Sequence, residues 1–129
     1  MEKSEPIRCR VAACREALDD GKEWSFYLIN DGVAALDSAV LCAVGYEWGD
    51  MGNSHRADVR VTGLAPGASA LIWRDDGSGA ELRIDLSLLV RSGGREVGLR
   101  FEFPKLYRKN NLPVVDGLGK PGWQEAATG

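Results

Sequence analysis

Residues 82–103 read LRIDLSLLVRSGGREVGLRFEF, and this stretch decides the fold class. Leu82, Ile84, Leu86, Leu88 and Val90 alternate with Glu81, Arg83, Asp85, Ser87 and Arg91, the period of a strand with one buried face. After Ser92-Gly93-Gly94-Arg95 the alternation resumes with Val97, Leu99, Phe101 and Phe103. With Gly93 and Gly94 as the central pair of a primed turn, Val90 faces Val97, Leu88 faces Leu99, Leu86 faces Phe101 and Ile84 faces Phe103. Every inward residue then meets another. On the outer side Arg91 sits across from Glu96, Asp85 lies diagonal to Arg100 and Arg83 diagonal to Glu102, all favourable placements.

Working outward, Trp24 to Asn30 is rich in aromatic and β-branched residues and stops at the turn Asn30-Asp31-Gly32, so it reads as a central strand. The apolar run from Ser38 to Tyr46 sets Ala39, Leu41 and Ala43 on one face and Val40, Cys42 and Val44 on the other, with both faces expected to be covered. Glu47 to Asn53, with Gly49 and Gly52, reads as a loop. Val59 and Val61 alternate with Asp58 and Arg60 before the turn Leu64-Ala65-Pro66-Gly67, and Ala68 to Trp73 forms a further strand. Residues 7–18 fit two periods: Ile7, Val11, Cys14 and Leu18 share a helical stripe, while Ile7, Cys9, Val11 and Ala13 alternate. Asp20-Gly21 ahead of the next strand favours a hairpin and hence a strand, with a helix over 7–18 as the alternative. Beyond Pro104 the chain turns polar and irregular up to Trp123. The expected organisation is a sandwich domain over 1–104, all-β and antiparallel with about seven strands, and an extended C-terminal tail over 105–129.

The stretch Phe26-Tyr27-Leu28-Ile29-Asn30-Asp31-Gly32, then Leu36-Asp37, the strand from Ala39 and the later Leu64-Ala65-Pro66-Gly67-Ala68, resembles immunoglobulin-like adhesion and appendage modules. Together with Asp20-Gly21-Lys22-Glu23-Trp24 and Val44-Gly45-Tyr46, the pattern over roughly residues 10 to 105 also resembles a group of small bacterial proteins of unassigned function. These motifs are structural punctuation. The resemblance implies an immunoglobulin-like sandwich and a bacterial source, and no particular activity. Cys14 and Cys42 flank Trp24 too closely for the disulfide of antibody domains.

A chain of 129 residues suits one compact unit, and 44% hydrophobic with 27% charged residues excludes the disordered and low-complexity classes. Sixteen basic against nineteen acidic residues give a net charge of -3, which argues against wholesale nucleic-acid binding. No apolar stretch is long enough to span a bilayer. Three cysteines without a CxxC pair suggest neither a disulfide framework nor structural zinc, so reduced, mostly buried thiols and a cytoplasmic location are expected.

The first place to look for chemistry is 47–56, where Glu47, Trp48, Asp50, Asn53 and His55 gather carboxylates, an amide, an indole and the sole imidazole. Glu47, Asp50 and Asn53 carry oxygen ligands suited to a hard cation, and His55 with Asp50 is a possible proton-transfer pair, although the spacing matches no known cation loop. A nucleophile would need Ser54, Ser25 or Cys42 beside His55, and no nucleophile elbow surrounds them; Ser78 in Asp76-Gly77-Ser78-Gly79 lacks the following helix of a phosphate loop. Residues 91–109 hold six basic residues against two acidic ones, and Tyr107, Arg108 and Lys109, with Trp123 further on, are candidate contacts for a partner. The expected function is a non-enzymatic module, without a cofactor, that binds a protein partner or self-associates at a sheet edge. The alternative is a small metal-dependent or acid–base site centred on 47–56.

Overall fold

The computed structural model describes residues 6–15, 23–48, 51–75, 82–106, 109 and 111–129, with only the backbone described at 48 and 51–54. Eight strands account for most of them: β1 (Arg8–Arg15), β2 (Trp24–Asn30), β3 (Leu36–Trp48), β4 (Met51–Leu64), β5 (Ser69–Asp75), β6 (Arg83–Ser92), β7 (Arg95–Phe103) and β8 (Trp123–Thr128). They form two four-stranded antiparallel sheets. Sheet A has the order β5-β2-β1-β8 and sheet B the order β4-β3-β6-β7. The chain is thus an all-β sandwich.

The β6–β7 hairpin has the register its alternation demands, with Val90↔Val97, Leu88↔Leu99, Leu86↔Phe101 and Ile84↔Phe103 all paired. Gly93 (φ 57°) and Gly94 (φ 79°) make the turn with two left-handed residues, a backbone that any side chain would strain. Outside, Arg91 bonds Glu96 at 2.6 Å and Arg100 bonds Asp85 at 2.8 Å. Between the sheets Leu86, Leu41, Val44, Leu28 and Val11 are fully buried, and Phe26 meets Phe103 edge-on at 5.2 Å between centroids. Asn30 closes β2 from inside: its buried Nδ2 donates to the carbonyls of Ala34 and Leu64, and its Oδ1 accepts from the Gly32 amide.

The first segment is the strand that its hairpin cue favours, over Arg8–Arg15, and residues 16–18 lie outside the described ones. Three expectations are corrected. The two-face reading of 38–46 fails because the register slips at Cys42, which stands exposed while Ala39, Leu41 and Val44 all point inward. Its strand, β3, lies between β4 and β6 in sheet B. Glu47 to Asn53 is no open loop: β3 runs to Trp48, β4 starts at Met51, and Glu47↔Gly52 and Tyr46↔Asn53 are paired positions of one long hairpin. Finally, the irregular C-terminal stretch ends in an eighth strand, because Trp123–Thr128 finds the open side of β1, and Gly129 and Ile7 exchange both backbone hydrogen bonds at 2.8 and 2.9 Å.

The course of the segment before β8 determines which surfaces remain available. Residues 111–122 cross the outer face of sheet A, where Val115 is fully buried and packs with Leu118 over Ala12, Cys14 and Ile29. Gly122 lies so close that a Cβ there would stand 2.8 Å from Cys14 Sγ and 2.9 Å from the Ala13 carbonyl. Lys120 donates to the Tyr27 hydroxyl at 2.8 Å and sits over its ring. Arg10 bonds both carboxylate oxygens of Asp31 and also donates to Gln124 Oε1 and the Asp116 carbonyl.

Candidate functional site

The β3–β4 hairpin tip separates part of the group proposed from sequence. Pairing is regular from Val44↔His55 to Glu47↔Gly52, so Glu47 and His55, three positions out of step, point to opposite faces of sheet B. His55 is exposed and packs edge-on against Tyr46 at 5.7 Å between centroids. Tyr46 in turn accepts from Trp73 Nε1 at 3.1 Å and donates to the buried Asp75 at 3.4 Å, which ties the tip to β5. Glu47 is paired in register with Arg83 of β6. Asp50 lies outside the described residues, and Trp48 and Asn53 are described only by their backbone. Among the described residues no three His, Cys, Asp or Glu side chains come close enough to hold a metal ion.

Of the C-terminal candidates, Tyr107 and Arg108 lie outside the described residues. Lys109 Nζ stands 4.4 Å from the centre of the Trp123 ring, a cation–π contact. Trp123 itself belongs to β8 and packs half-buried against the main core.

A different surface emerges on the outer face of sheet B. Its strand pairings lay residues out in rows: Arg60, Val40, Leu89 and Gly98 run straight across β4, β3, β6 and β7, and the adjacent row runs through Thr62, Ser38, Arg91 and Glu96. The two rows enclose a depression of about 290 Å³ lined by Ser38, Val40, Arg60, Leu89, Arg91 and Glu96. Leu89 is 38% exposed at its centre. One side carries Arg56, Asp58 and Arg60 on β4, the two arginines without an ion pair among the described residues; the other carries Glu96 and Glu102 on β7, held by Arg91 and Arg100. Sequence reasoning passed over Leu89. The signal was present, since 83, 85, 87 and 91 are polar and 89 is the outward position that breaks the alternation.

This face offers apolar contact, small residues that let another backbone approach and guanidinium donors around the rim. No family model, curated protein or solved structure matches the chain. Among the described residues no helix is long and apolar enough to cross a membrane.

Proposed function

We propose that the chain is a non-enzymatic protein-interaction module of immunoglobulin-like arrangement whose contact surface is the outer face of sheet B. One observation carries the proposal: the chain's own residues 111–122 cover the outer face of sheet A over β1 and β2, leaving Leu71 open at the β5 edge, whereas sheet B leaves Leu89 and Val40 open at its centre among arginines. The immunoglobulin-like arrangement is supported by strand order. If β1 to β7 are lettered A, B, C, C′, E, F and G, the sheets become A-B-E and C′-C-F-G, the pairing typical of such domains, with β8 added beside A. A cytoplasmic location is supported by the three thiols, above all the exposed Cys42, which suits a reducing compartment.

The test is capture of binding proteins on the immobilised full chain, with two exposed apolar residues changed in turn. Leu89→Arg lies in the proposed surface; Val33→Arg, at a position 74% exposed, lies outside it. A partner retained by the parent and by Val33→Arg but lost from Leu89→Arg is the expected result. Equal capture by all three would defeat the proposal.

A further inference from the structure

Resting on that reading, we propose that the occupant of the sheet B face is a second copy of this chain, packed face to face about a two-fold axis parallel to the strands. Such an axis keeps each row in place and exchanges β4 for β7 and β3 for β6. In the central row Val40 of one copy therefore meets Leu89 of the other, and the contact occurs twice. Arg60 passes over Gly98, where no side chain obstructs it, and reaches Glu96 two residues along β7. Within one chain Arg91 Nε takes Glu96 Oε2 at 2.6 Å, while Arg60 has no ion pair among the described residues, so an acceptor and an unsatisfied cation are brought together only by association. Arg56 falls over Arg100 with its two carboxylates Asp85 and Glu102, a cluster of net negative charge.

The sign pattern selects both the occupant and the axis. On this face β4 carries Arg56 and Arg60 about Asp58, net positive, and β7 carries Glu96 and Glu102 about Arg100, net negative, a mixed pattern that complements its own inverse better than a uniformly acidic or basic surface. An axis perpendicular to the strands would instead lay β4 on β4 and set Arg60 against Arg60. Four strands about 4.8 Å apart and about 30 Å long give a face of roughly 600 Å² in projection, short of the ~800 Å² per partner of a standard interface, so the dimer is weak and concentration-dependent.

Sedimentation equilibrium of the full chain over a wide concentration range tests the inference. The parent should rise from the mass of one chain toward that of two, and Leu89→Arg should weaken association by about tenfold or more. Arg60→Glu and Glu96→Lys should each associate poorly alone, because each places like charges at both contacts. Mixed in equal amounts they should recover association, because both contacts in the mixed dimer again join opposite charges. Circular dichroism of each variant confirms that it keeps the strand spectrum. A parent that stays at single-chain mass, a dimer indifferent to Leu89→Arg, or variants that fail to complement would each overturn the second copy as occupant. The underlying reading fails separately, through capture that Leu89→Arg leaves unchanged.

Discussion

The two sheets have four strands each, yet their outer faces ended differently. That of sheet A became a second, small core, with Ala12, Cys14 and Ile29 under Val115 and Leu118; that of sheet B stayed in water as a lattice of ion pairs around Val40 and Leu89. The difference lies in side-chain size and in the reach of the C-terminal segment. Ala12 on β1 and the absent side chain of Gly122 let two backbones come into contact, whereas arginines on three of the four strands of sheet B keep any cover at a distance. One face thereby contributes to stability and the other is left open to solvent.

The largest effect is expected where the two sheets share their interior. Leu86 is fully buried and paired with Phe101, so Leu86→Ala should cost about 2–5 kcal/mol in urea unfolding, lost burial plus the cavity left behind. It sets the scale against which both outer faces are measured. A variant as stable as the parent would show that the hairpin does not face the core.

The cover over sheet A is tested next, through Gly122→Ala. The added methyl would meet the Ala13 carbonyl at 2.9 Å and Cys14 Sγ at 2.8 Å, and the backbone carbonyl cannot swing aside. A cost of about 1–3 kcal/mol is expected, in the range of overpacking. The thiols report where it falls. In the parent, the exposed Cys42 should react with a thiol reagent at once while buried Cys9 and Cys14 stay protected; Gly122→Ala should speed Cys14 and leave Cys9 slow. Equal protection of Cys14 in parent and variant, with no loss of stability, would mean that the cover tolerates a side chain and is looser than its distances.

The same contrast explains which parts of the fold were legible in the sequence. β6 and β7 have one dry and one wet face, so Ile84 to Phe103 alternates except at Leu89 and fixes its own register. β1 is buried on both faces along Val11 to Cys14, and its sequence therefore shows neither clean alternation nor a convincing helix. The second covering layer comes from residues some hundred positions away, and nothing local announces it. The slip at Cys42 is likewise invisible without its partner strands, and the glycines at 49 and 52 read as a loop because pairing across a long hairpin overrides local propensity. Of the candidate residues, the gathering at 47–56 was legible as composition, but the facing of Glu47 away from His55 depended on register.

A smaller effect distinguishes the interior from the open face by pH. Burial, aided by the negative charge of Asp31, pushes the Cys9 thiol up to about 11 from an ordinary 9.0. The unfolded chain releases this proton near pH 9 and the folded chain holds it until near 11. The folded state thus binds more protons across that window, and its stability falls as pH rises from about 9 to 11, with the contribution intact below. Melting curves of the parent should fall more steeply over this interval than those of Cys9→Ala. Parallel profiles would show that Cys9 ionises as readily folded as unfolded.

The smallest effect on the folded chain itself should come from the face proposed for association. Leu89 is 38% exposed and contacts the solvent side of its sheet, so Leu89→Ser removes little burial, and in dilute solution the loss should not exceed about 1 kcal/mol. The concentration dependence should change instead. If a second copy covers this face, the parent is stabilised by mass action and its melting temperature climbs with protein concentration, since association draws on the native state alone. In Leu89→Ser that climb should vanish while the dilute melting temperature stays almost unchanged. A loss as large as that of Leu86→Ala would instead make Leu89 part of the structural core, and would erase the division between a covered face that holds the fold and an open one proposed to meet a partner.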